Sequence, residues 1–266
     1  MSRTAIIAGR GGLPAALAAA LDAPLVCALD GFAPDGVAVD QVFRVERLAL
    51  LLRLLEDREV DRVVFAGAVQ RPRLDPALFD PQTATMVPRL LAAMQAGDDA
   101  TLRAVIAIFE EAGFAVVGVQ DVAPSLVPGV GLLAGAVTAQ DEADAVRAMA
   151  IVAALGAVDV GQGCVVAQGL CLGVEALPGT DALLATVAGI GALRPDASRG
   201  RGVFCKAPKP GQDMRIDLPT LGVETVRLVA EAGLAGIVWQ AGGVICLDLP
   251  AMQAAAAARG VFLWAR

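Results

Sequence analysis

The chain has 266 residues, with 28 acidic against 21 basic side chains, a formal charge of −7, 56% hydrophobic residues and 18% charged ones. That length suits one large domain or two small ones with an ample core, and the composition excludes a disordered chain. The acidic balance and the 4% aromatic content speak against nucleic acid as a partner, which takes a basic face with stacking rings. A local anion site is still permitted.

The start, MSRTAIIAGR, enters a strand at once and lacks the charged, apolar and cleavage regions of a signal peptide, so a cytoplasmic location is expected. A strand over 4–8 leads into Gly9-Arg10-Gly11-Gly12 and a helix over 13–21. A strand over 25–29, a helix over about 46–59 and a strand over 62–65 follow, and this alternation predicts a parallel sheet covered by helices. Helices over about 83–95 and 98–112 and a strand over 114–119 complete a Rossmann-like N-terminal domain, 1–133. The window 122–139 has the length of a membrane span, but Pro124, Pro128, Gly129, Gly131 and Gly135 break it, so it reads as a loop or linker. The C-terminal domain, 134–266, reads as mixed α/β. It has a helix over 140–155, a hairpin whose strands 164–167 and 170–175 flank Gln168-Gly169, a helix over 180–193 and a strand over 202–206. A helix over 219–232 and a hairpin-like 236–247 around Gly242-Gly243 follow. A ligand cleft between the two domains is the expectation.

The chain has no His, Tyr or Asn, and its serines are Ser2, Ser125 and Ser198. A Ser/His/Asp triad, a His-ligated zinc and an imidazole base are therefore excluded. Lys206 and Lys209 are the two lysines, and five cysteines without CxxC spacing read as buried reduced thiols.

Three readings compete for the glycine-rich turn 9–12: an anion cradle at a helix start, a dinucleotide fingerprint, and a tight structural turn. Asp30 stands where a ribose-binding acid would, but Pro14 takes the third glycine's place. The densest polar chemistry lies in Lys206-Ala207-Pro208-Lys209-Pro210-Gly211-Gln212-Asp213-Met214-Arg215-Ile216-Asp217. If 213–217 is extended, Asp213, Arg215 and Asp217 share one face. The block reads either as a solvated loop held by ion pairs or as a phosphate site whose carboxylates hold Mg²⁺. Asp98 or Asp99 is a helix cap or a metal ligand. Gln162, Glu175 and Thr180 stand at element ends, and Thr180 caps a helix on the plainer reading.

GRGGLP, GDDATLR, QDVAPSL, DVGQG, VEALPGTDA and KAPKPGQDMRIDLPTLG, spread over nearly the whole chain, resemble the cytoplasmic UDP-2,3-diacylglucosamine diphosphatase family of the His-free, two-domain type. The resemblance implies an Mg²⁺-dependent hydrolase of lipid A biosynthesis that gives UMP and 2,3-diacylglucosamine 1-phosphate. It also implies two domains with the lipid product between them. By position it makes Asp217 the essential residue, on Mg²⁺ or the attacking water, with Asp213, Asp98 and Asp99 as further metal candidates. Lys206, Lys209, Gln212 and Arg215 fall to the diphosphate; Gly9, Arg10, Gly11, Gly12, Gln162 and Thr180 fall to the rest of the substrate. Pro178 stands where the family pattern leads one to expect an acid. The implied partner is a lipid-linked nucleotide sugar; contact with the inner membrane and a homo-oligomer are permitted. The Leu-rich stretch 48–55 either packs in the core or lines an acyl slot. The alternatives to a diphosphatase are a dinucleotide-dependent oxidoreductase and a non-catalytic nucleotide-binding protein.

Overall fold

A computed structural model describes residues 3–70, 73–194 and 196–266, and among them all side chains except those of Ala96, Asp98, Asp99 and Ala192. The chain forms two compact units: residues 1–124 with 213–217, and residues 125–212 with 218–266.

In the first unit β1 (Arg3–Ala8), α1 (Leu13–Ala20), β2 (Leu25–Leu29), β3 (Gln41–Phe43), α2 (Leu48–Asp57) and β4 (Val60–Ala66) come first. α3 (Pro81–Ala84), α4 (Val87–Ala96), α5 (Asp98–Glu111), β5 (Ala115–Val117) and α6 (Val119–Val122) follow. The strands pair in the order β3-β2-β1-β4-β5, all parallel. β1 and β2 read as near-continuous apolar runs because both their faces are buried. The strand order reverses between β1 and β4, and ligands of such sheets gather at the carboxyl ends there. The glycine turn sits at that point. Its Gly9 and Arg10 amides donate to the Ala66 and Ala68 carbonyls at 2.7 and 2.9 Å. A Cβ on Gly9 would lie 2.6 Å from the Ala68 oxygen, so only glycine allows the two backbones to close on each other. α2 buries Leu48, Leu51, Leu52 and Leu55 in the unit's core with Val63, Ile106 and Phe109, so the packing reading of the Leu-rich helix holds for these four.

The second unit runs β6 (Gly131–Ala134), α7 (Ala139–Ala157), β7 (Gly163–Ala167), β8 (Leu170–Val174), α8 (Gly179–Gly189), β9 (Val203–Lys206) and β10 (Thr220–Leu221). It ends with α9 (Val223–Glu231), β11 (Gly236–Trp239), β12 (Ile245–Cys246), α10 (Leu249–Arg259) and β13 (Phe262–Ala265). Its main sheet is mixed, in the order β6-β13-β11-β9-β7-β8, with β9, β11 and β13 parallel and β6, β7 and β8 antiparallel to their neighbours. One face packs Val165, Phe204, Ile237 and Leu263 against Leu184, Val226 and Met252 of the helices. The other packs Val166, Cys205 and Val238 against Ala145, Ala148 and Val152 of α7.

Four expectations change. The helix expected over 219–232 begins only at Val223, because Thr220–Leu221 form the strand β10. The stretch 122–139 is not a linker throughout, because β6 within it is an edge strand of the second sheet. The expected 236–247 hairpin does not exist: β11 is a central parallel strand, and β12 pairs in parallel with β10 in a separate two-stranded sheet. The segment 213–217 turns, with the Ile216 amide donating to the Asp213 carbonyl at 3.3 Å, instead of extending. Among the described residues, no helix is long and apolar enough to cross a membrane.

Candidate functional site

The candidate residues fall into two groups by unit. Gly9, Arg10, Gly11, Gly12, Asp213, Arg215 and Asp217 belong to the first; Gln162, Thr180, Lys206, Lys209 and Gln212 belong to the second. The side chains of Asp98 and Asp99, on the first turn of α5, lie outside the described residues.

In the first unit Ile216 is inserted in the core with Ile106 and Phe109, and this plug fixes the turn on either side. Arg215 spans two acids. Its Nε donates to Asp213 Oδ1 at 3.0 Å, its Nη2 to Asp213 Oδ2 at 2.7 Å and its Nη1 to Glu110 Oε1 at 2.6 Å. The forked guanidinium suits such two-oxygen pairing. Hydrogen bonding to Arg215 holds the Asp213 carboxyl below its ordinary value, and Asp213 and Glu110 raise Arg215 in turn. Asp217, on the exposed end of the turn, has φ of 60°. The left-handed region is rare for a residue with a Cβ, and such backbone is often found where a side chain must be aimed. In the glycine turn Gly11 has φ of 93°, and a Cβ added at Gly11 or at Gly12 would meet open space. Arg10 donates from Nη2 to the Gly31 carbonyl at 2.9 Å and lies over the Phe32 ring. Asp30, the ribose acid of the dinucleotide reading, accepts from Arg44 at 2.9 Å.

In the second unit β9 ends on Lys206, which is 5% exposed. Its ammonium donates to Glu175 Oε1 at 3.0 Å, to Glu175 Oε2 at 2.7 Å and to Thr180 Oγ1 at 2.6 Å. The Thr180 hydroxyl donates to Glu175 Oε2 at 3.1 Å. These three contacts come from two side chains, and the two oxygens of the Glu175 carboxylate lie close enough together to share one ammonium proton. The register partner of Lys206 on β7 is Gly163, where a Cβ would sit 2.5 Å from Glu175 Oε2. Glycine there makes the room in which the carboxylate lies. Lys209, three residues on, is ion-paired to the exposed Asp159 and is itself partly exposed. Gln212 fixes the same loop. Its Oε1 accepts from the Lys209 amide and from Gln162 Nε2, both at 3.0 Å.

The two lysines are therefore unequal. An exposed pair such as Lys209–Asp159 is worth about 0–1 kcal/mol, so an anion can take the ammonium over at little cost. Breaking a buried pair such as Lys206–Glu175 costs roughly 3–5 kcal/mol. Glu175, Glu110 and Asp159 were not legible as partners of these cations, because the contacts join positions 31, 105 and 50 residues apart.

Among the described residues, no three carboxylates or thiols gather to form a metal cage, and both oxygens of Asp213 accept from Arg215. This donor set does not fit a cation enclosed by protein alone. Mg²⁺ in general keeps waters and takes one or two carboxylates together with substrate phosphates, and Asp217 is the carboxylate of this turn that would be offered to it.

Two family models match: the LpxI N-terminal domain over residues 3–126 and the LpxI C-terminal domain over residues 130–264. The chain is 38% identical over 273 aligned positions, covering 99% of this chain and 97% of the relative, to UDP-2,3-diacylglucosamine pyrophosphatase LpxI of Caulobacter vibrioides.

Proposed function

The chain belongs to the LpxI family, and from that premise we propose that it hydrolyses the diphosphate of UDP-2,3-diacylglucosamine to UMP and 2,3-diacylglucosamine 1-phosphate in lipid A biosynthesis. The observation that carries this reading is the likeness to a named pyrophosphatase over 99% of the chain, which takes in both units. The oxidoreductase reading lacks its third glycine, whose place Pro14 takes.

Water adds to one phosphorus, the bridging P–O bond breaks, and the departing phosphate carries the extra negative charge. A chain without histidine meets that charge with fixed cations. Lys209 is the lysine free to exchange its carboxylate for phosphate, and Arg215 is aimed by Asp213 and Glu110. Gly11 and Gly12 offer open backbone at the switch point of the first sheet. Asp217 is the carboxylate for the divalent ion or the attacking water. When bound, Mg²⁺ supplies Lewis-acid neutralisation of the phosphate oxygens.

The test is release of UMP from UDP-2,3-diacylglucosamine by the purified protein, with Mg²⁺ and with EDTA, beside Asp217→Ala. Turnover lost on chelation and in the variant is the expected result. Nucleotide binding by the wild type without UMP release overturns the diphosphatase reading, and full activity in EDTA overturns the cation alone. The same reaction in oxygen-18 water shows which phosphorus is attacked.

A further inference from the structure

Lys206 is the more buried of the two lysines, and the arrangement around it is costly. A largely buried ion pair lies at the carboxyl end of β9, space for it is opened by a glycine on the neighbouring strand, and the ammonium is held by Glu175 and Thr180. Burying such a pair seldom stabilises a fold better than apolar side chains of the same volume do. Stability alone is therefore a poor reason for this cluster.

From this geometry we propose that Glu175 is a positioning residue for the hydrolysis. With Lys206 and Thr180 it forms a net-neutral, largely buried unit that holds the loop carrying Lys209 in place, and Lys206 serves that unit instead of the diphosphate. Three elements meet in the cluster: Glu175 follows β8, Thr180 lies in the first turn of α8, and Lys206 ends β9. The loop that leaves Lys206 carries Lys209 three residues later. Its path is tied by the Ala207 amide to the Gln162 carbonyl at 3.0 Å and by the Lys209 amide to Gln212 Oε1. Fixing Lys206 fixes the origin of that loop, and so the place where the Lys209 ammonium is presented. A bound cation displaced by about 1 Å loses much of its value to a transition state.

This assignment rests on the diphosphatase reading. The decisive variant is the double substitution Lys206→Met with Glu175→Met, compared with wild type, Thr180→Ser and Thr180→Val, all assayed for UMP release with Mg²⁺ and for thermal melting. The double variant removes both charges together, so no lone buried ion is left behind. We expect it to melt within a few degrees of wild type with kcat at least 10-fold lower and KM changed less than 3-fold. Thr180→Ser should keep kcat within about 2-fold, and Thr180→Val should lose at least 5-fold. A double variant that folds and keeps wild-type kcat overturns the proposal, because the cluster is then only structural. A folded variant whose KM alone rises also overturns it, since Lys206 would then be a substrate ligand. If the double variant fails to fold, the Thr180 pair decides: equal kcat in Ser and Val overturns the proposal. A wild type that releases no UMP fails the diphosphatase reading itself, which no variant result can mimic.

Discussion

Asp217 holds a left-handed backbone with an L side chain, a conformation glycine adopts without steric cost. Relief of strain and the greater freedom of an unfolded glycine offset each other, so Asp217→Gly should leave unfolding free energy within about 1 kcal/mol of wild type. UMP release should nevertheless fall at least 100-fold; retained turnover would remove Asp217 from the reaction. Asp213 carries a pH signature. Because Arg215 lowers its carboxyl in the folded protein, its contribution is complete above the ordinary value of 3.8 and is lost as pH falls from there through the folded pKa. Asp213→Asn should thus lower stability at neutral pH and flatten the acid limb of a melting-temperature profile. Burial pushes the thiols of Cys27, Cys205 and Cys246 up to about 12 and that of Cys164 still higher, whereas Cys171 is exposed. Native protein at pH 8 should therefore titrate rapidly at one thiol with a disulfide reagent, and at all five after denaturation. At this scale the sequence showed which residues were scarce, and hence that Lys206 deserved notice. It did not show that the lysine is already engaged by Glu175 and Thr180, because those contacts join positions 31 and 26 residues apart.

Among the elements, the hairpin β7–β8 was legible because two residues between apolar runs set its turn. Gln168 and Gly169 have φ of 50° and 78°, the paired left-handed conformation of tight hairpins. What the pattern could not reveal is the side chain beneath it. Asp144 of α7, fully buried, accepts from the Gln168 amide at 2.9 Å and the Gly169 amide at 2.7 Å. Hydrogen bonds to a charged group contribute about 1.5–3 kcal/mol, so Asp144→Ala should destabilise by about 2–4 kcal/mol in denaturant unfolding. The 236–247 stretch misled for the opposite reason. Its paired glycines look like a hairpin turn, but Gly236–Trp239 is buried throughout and pairs with distant strands, a preference that local pattern does not carry. β3, three residues long, is too short to show a period. β6 hides in a Pro/Gly-rich window because an edge strand tolerates those residues.

For the whole molecule, the alternation of strands and helices was enough to predict a parallel sheet ahead of a mixed one. The strand order was not legible, since it is set by which long-range pairings bury most apolar surface. The least legible feature is the return of 213–217 to the first unit. One isoleucine gives it reason to do so: Ile216 is 7% exposed within a core whose other buried residues run from Ala5 to Val116. Ile216→Ala should cost about 2–4 kcal/mol and speed amide hydrogen exchange in α5 more than in α10. The backbone therefore passes from one unit to the other three times, after residues 124, 212 and 217. A gene fragment ending at residue 124 would encode a core with a hole in it, and its complement would carry a stranded isoleucine. The two halves have to be inherited and recombined as a single piece, and a chimera that swaps only the first 124 codons leaves a mismatched plug behind.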